Sequence, residues 1–151
     1  MANTNISRYG EINQKKVTRL LSVHLSADTI TAAGGALAVG ANNFFVATLP
    51  EKSVLVDAYV VTDTPSNAAT SAVIKVGTAE GGAQIMADVD AKAAAGVSGE
   101  LVAKLKTDTG MPIYAAVTYT GATTNFGDFT IVIRYDEYTK KSGEYTRIGL
   151  N

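Results

Sequence analysis

The chain has 151 residues, a net charge of −1 and no cysteine, so it reads as one domain, large enough to hold a core without staples. Lack of cysteine excludes disulfides and thiolate metal sites. The near-neutral charge argues against nucleic acid as a partner of the whole molecule, and no apolar run approaches the ~18 residues of a membrane span.

The opening MANTNISRYGEINQKK is polar and lacks the apolar stretch of a secretory signal. The chain is therefore expected to be made in the cytoplasm. Its charge is unevenly spread. Residues 1–25 hold four basic residues against one acid, residues 26–136 hold six against eleven, and residues 137–151 hold three against two. An acidic body with basic ends reads as a core of about 16–136 with docking arms of about 1–15 and 137–151.

In chain order, VTRLLSVHL at 17–25 places Val17, Leu21, Val23 and Leu25 on one face. Thr18, Ser22 and His24 fall on the other face, and Arg19 interrupts the apolar side. Such period-two patterning predicts a strand. FFVATL at 44–49 is a short apolar run closed by Pro50, and VLVDAYVVT at 54–62 is rich in β-branched and aromatic residues. AVIKV at 72–76 leads into Gly77. LVAKL at 101–105, IYAAVTY at 113–119 and FTIVIRY at 129–135 read as later strands. Between them lie turn-forming segments, among them TDTPSNAAT, TAEGG and TGATTNFG. One short helix is expected at about 88–95, capped by Asp88 or Asp90 and ended by Gly96. Many short strands at close spacing predict an antiparallel, jelly-roll-like β-sandwich of about eight strands.

The segment VGTAEGGAQIMADVDAKAAAG at 76–96 tests for chemistry. A phosphate loop needs Lys and Ser/Thr directly after its last glycine, and here Ala83 and Gln84 follow Gly82. Asp88 and Asp90 lack the further oxygens of a calcium loop. His24 has no cysteine partner, and no G-x-S-x-G elbow occurs. With no Trp and few aromatic residues, a sugar-binding platform is disfavoured, and Phe44, Phe45, Tyr114 and Tyr119 read as core. Lys15, Lys16 and Arg19 form a basic cluster without the aromatics of a single-strand groove. No cofactor, metal or catalytic residue is expected.

Across about residues 50–138 the order of segments resembles small β-sandwich virion proteins of tailed bacteriophages. The resemblance rests on Val76-Gly77-Thr78, the small-residue loop from Asp88 to Gly96, the strand Ile113 to Tyr119, the turn Gly121 to Gly127, and the closing strand with Tyr135. It implies a capsid decoration (cement) protein on the outer head surface, or a related tail, baseplate or head-fibre-base component. A receptor- or carbohydrate-binding module is the alternative from another class. The implied partners are the major capsid protein and further copies of the chain, as dimer or trimer. The residues expected to make contact are Arg8, Tyr9, Lys15, Lys16, Tyr138, Tyr145 and Arg147, on the basic ends and the tyrosine-bearing tail.

Overall fold

The computed structural model describes residues 15–139. Nine strands and one short helix follow in the order β1 Lys15–Leu25, α1 Ala27–Ala32, β2 Gly40–Leu49, β3 Ser53–Thr64, β4 Ser71–Gly77, β5 Met86–Asp90, β6 Gly96–Ser98, β7 Lys106–Thr107, β8 Met111–Thr120 and β9 Asp128–Thr139. They build two sheets. The first runs β1-β9-β3-β6, with β7 also on β3, and the second runs β2-β8-β4-β5. Every pairing is antiparallel. The result is a β-sandwich, as the strand spacing predicts.

Period-two burial explains why the two sheets stack. Leu55, Ala58 and Val60 of β3 and Ile131 and Ile133 of β9 are fully inside. They share one core with Ile74 and Val76 of β4 and Ile113, Ala115 and Val117 of β8. Each buried Val, Leu or Ile side chain contributes about 1.5–3 kcal/mol of transfer free energy. Leu21 and Val23 pack on this core and Leu25 is buried in it, so β1 turns the expected face inward. Arg19 lies towards the strand's beginning, where its Nε donates to Glu137 at 2.6 Å.

The helix lies elsewhere than expected. Residues 86–90 form β5, in register with β4 through Val73↔Asp90, Ile74↔Val89 and Val76↔Met86. Met86 and Val89 are buried, and the bulge between them puts Asp88 at φ 35. Aspartate tolerates that region better than most residues. Asp90 caps a turn instead of a helix: its Oδ1 accepts from Lys92 N at 2.9 Å. Ala91 is fully buried and its N–H donates to Ala72 O. Small size at a tight contact, not helix propensity, is what this alanine supplies.

The real helix is α1. Ser26 caps it and Thr29 closes the reciprocal bond of a capping box, while Ile30 is its one buried residue. Residues 101–105 form no strand either. Val102 N donates to Ile85 O, whereas Leu105 O accepts from Leu55 N. The segment thus divides its bonds between different partners while Leu101 and Leu105 pack on the core.

The turns TDTPSNAAT and TGATTNFG lock together. Asn67 Oδ1 accepts from Thr123 Oγ1, Thr124 N and Asn125 N at 3.0, 3.1 and 2.9 Å. Asn67 Nδ2 donates to Thr124 Oγ1 at 2.9 Å, and the backbone adds Asn67 N to Asn125 O. Asn67→Ala removes the side-chain bonds at an exposed position where water compensates in part. The expected loss is about 1–2 kcal/mol in urea unfolding. Asn67→Asp keeps the acceptor and should recover most of it; equal loss in both variants would contradict this account.

Candidate functional site

The glycine-rich stretch is a packing device. Gly77 approaches Gly82 so closely that an added Cβ would collide with the Gly82 carbonyl group and the Gln84 amide. Gln84 Oε1 accepts from Thr78 N at 3.1 Å, and Ile85 N donates to Val76 O. The loop thus folds onto its own side chain. Asp88 pairs with Lys75 Nζ at 3.2 Å on the exposed face of the second sheet.

The strand registers give the sandwich two distinct ends. At one end β1 begins beside the end of β9, with Lys15 opposite Thr139 and Lys16 opposite Tyr138. The described chain therefore enters and leaves at the same corner. The turn at Pro50–Lys52 lies here too, since Tyr138 N donates to Lys52 O at 3.1 Å. Three of the residues expected to make contact, Lys15, Lys16 and Tyr138, are thereby neighbours. Tyr138 is half-buried on β9, which continues past residue 136 through Thr139. Arg8, Tyr9, Tyr145 and Arg147 lie outside the described residues.

At the opposite end lie α1, the Asn67 lock and a group formed by His24, Asp63 and Asp128. Tyr119 is buried there, with its ring edge-on to Phe126 at 5.0 Å. Burial pushes its hydroxyl up to about 12, so it stays neutral at physiological pH.

The outer faces are the broad surfaces left for partners. On the first sheet, Leu20 and Val97 are exposed, and Val61 stands opposite Val97. On this face Arg134 Nη2 donates to Asp57 Oδ2 at 3.2 Å. Thr18 Oγ1 donates to Asp136 Oδ1 at 2.6 Å.

The second sheet corrects the aromatic assignment. Phe44 packs on the core and Tyr119 lies within it, but Phe45 is 61% exposed. Neighbouring residues of a strand point to opposite faces, so β2 buries only one of the two phenylalanines. Phe45 stands opposite Tyr114 in the ladder, with ring centroids 5.5 Å apart at 70°. This pair lies outside the core, on the half of the sheet nearer the corner where the chain enters and leaves. No sequence feature distinguishes Phe45 from Phe44 except the parity of the strand.

No protein-family model and no curated protein matches the chain. Solved structures do. A chain of the acidic stable capsid structure of Helicobacter pylori bacteriophage KHP30 superposes with a TM-score of 0.58 at 13% identity. The match covers 83% of this chain and 94% of that one. A chain of the cyanophage Pam1 capsid asymmetric unit gives 0.53 at 18% identity, covering 81% and 84%. The fold is one found in phage capsids. Both matches span most of both partners, so the phage chains are small and close to this one in length. The resemblance drawn from residues 50–138 is thus supported by the fold of the described chain.

Proposed function

We propose that the protein is a phage capsid decoration, or cement, protein that binds the outer surface of the head and bridges major capsid protein subunits. The observation that carries this reading is the shared fold with small chains of two phage capsids over nearly their whole length. The two-ended sandwich supports it. Its basic terminal segments attach at one corner, beside Tyr138 and on the half that carries Phe45 and Tyr114. That end would grip the shell, while the end with Asp63 and Asp128 faces away. Burial of aromatic surface across capsomer joints supplies the affinity, and many copies multiply modest contacts. Copies associate as dimers or trimers on the lattice, with Arg8, Tyr9, Lys15, Lys16, Tyr145 and Arg147 contributing alongside Tyr138. The role is structural, not enzymatic.

The outward-facing pair of exposed Phe45 and half-buried Tyr114 favours one second reading, a receptor- or glycan-binding module of the virion, because such sites lean on aromatic platforms. Co-sedimentation of the purified protein with genome-filled heads and with isolated tails separates the readings. Saturable binding to heads, with a rise in their resistance to heat, is the expected result. Binding to tails alone favours a tail, baseplate or fibre-base component, and binding to host cells alone favours the receptor module; either would remove the cement reading.

A further inference from the structure

We propose that His24, Asp63 and Asp128 form a binding site for one divalent transition-metal ion of the zinc class, at the end of the sandwich away from the chain's entry. The three residues are far apart in sequence and are brought together by three adjacent strands. His24 is the last-but-one residue of β1, Asp128 opens β9, and Asp63 comes from β3 on the far side of β9. The β3–β9 register slips between Thr62 and Thr64, so Asp63 is the extra residue of a bulge. Bulges re-aim side chains, and this one brings the Asp63 carboxylate to the other two groups. One donor atom from each residue lies within 4.8 Å of the other two.

Two further observations set this group apart from a chance cluster of surface acids. His24 Nε2 lies 3.0 Å from Asp128 Oδ1, yet Oδ1 is a buried atom with no hydrogen-bond partner. The nitrogen and oxygen are thus side by side without the alignment of a hydrogen bond. A buried carboxylate oxygen with no hydrogen bond and only a neutral imidazole beside it is costly. An ion shared by both atoms removes that cost. Donors about 2.1 Å from a zinc ion, at angles between a right angle and the tetrahedral angle, stand roughly 3.0–3.4 Å apart.

The second observation concerns the far side of the ring. His24 Nδ1 shares a 3.2 Å hydrogen bond with Thr130 Oγ1, its cross-strand neighbour. In the tautomer with the proton on Nδ1, the ring donates to Thr130 and leaves Nε2 with a free lone pair, which is how metal-binding imidazoles are held. An imidazole in the set selects zinc-like ions over calcium or magnesium, and two carboxylates balance the ion's charge. The side chains of His24 and Asp128 are partly exposed, at 43% and 37%, so an ion has access and keeps room for water. Bound there, it would tie β1, β9 and β3 together where the first sheet ends.

The test uses the full chain with any purification tag removed and chelator-washed. Zinc chloride alone is titrated by calorimetry and by NMR of the histidine ring. The chain holds one histidine and no cysteine, so the imidazole signals report this site only. The expected result is saturable single-site binding, a shift of the His24 ring signals, and a melting temperature that climbs with zinc concentration. Magnesium at the same concentration should leave the ring signals in place. H24Q and D63N should each weaken binding at least about tenfold, and metal-free melting curves establish that both variants are folded. Absence of saturable binding would overturn the proposal. So would binding that H24Q and D63N leave unchanged, which would place the ion on other surface carboxylates.

Discussion

Gly127→Ala is expected to be among the most damaging single-methyl changes in this protein, costing about 2–4 kcal/mol through backbone strain and overpacking together. Gly127 sits at φ 92, between the Asn67-locked turn and β9. A Cβ there would run into the ring of Phe129 and would lie 3.0 Å from Ser66 N. Neither neighbour can give way easily. Phe129 is 1% exposed and belongs to the core, and Ser66 N is bound to Ala91 O at 2.9 Å. Gly127 N also donates to Asn125 Oδ1, so the turn and the strand move together. For a chain of this size, such a loss lowers the melting temperature by roughly 4–16 °C. Gly34→Ala is the control. It too has positive φ, at 84, but a Cβ there meets nothing within 4 Å. It should cost only the backbone share, about 1 kcal/mol. Equal losses in the two variants would mean that the collision with Phe129 contributes nothing.

The same contrast between local and distant causes decides what can be read from the chain. Strands whose burial follows strict alternation are visible directly. Leu21, Val23 and Leu25 face the core as their spacing requires, and so do Phe129, Ile131 and Ile133. Prediction fails where the decisive bond comes from elsewhere. Asp88 to Ala95 has the composition of a short helix, but the backbone of β4 captures Val89 and Asp90 first. Residues 101–105 have strand composition, but their partners are divided between Ile85 and Leu55. The helix at 27–32 is marked in the chain by Ser26 and Thr29 at capping-box spacing, although fewer than two turns with one buried residue give no periodicity. The His24–Asp63–Asp128 group has no signal at all in sequence. It depends on the β1–β9 register, the β3–β9 register and a bulge at Asp63, none of which local composition encodes. The aromatic pair falls between these cases. Phe44 and Phe45 are visibly adjacent, but which one faces outward follows from the burial of β2 against β8.

That outward phenylalanine gives the sharpest test of the docking surface, and the test rests on the cement reading. Phe45→Ser is expected to weaken binding to heads by about thirtyfold or more, the scale of an aromatic hot spot worth at least ~2 kcal/mol. Its effect on stability should be small. The side chain is 61% exposed, so its removal costs little beyond the edge-to-face contact with Tyr114, about 0.5–1.5 kcal/mol. Tyr114→Ser should behave similarly, with a larger stability loss because Tyr114 is half-buried in the middle of β8. The comparison that makes this decisive is Val97→Ser, on the outer face of the opposite sheet. Val97 is also exposed, at 70%, but it lacks an aromatic partner and lies on the three-residue β6 at the sheet's edge. Its replacement should leave binding to heads unchanged. Sedimentation with a graded excess of heads measures all three variants on one scale, and unfolding curves show whether any loss of binding reflects loss of fold. Lost binding in Val97→Ser with full binding in Phe45→Ser would move the contact to the first sheet. Full binding in all three variants would leave the terminal segments as the whole grip, because both aromatic and aliphatic faces would then be idle on the shell.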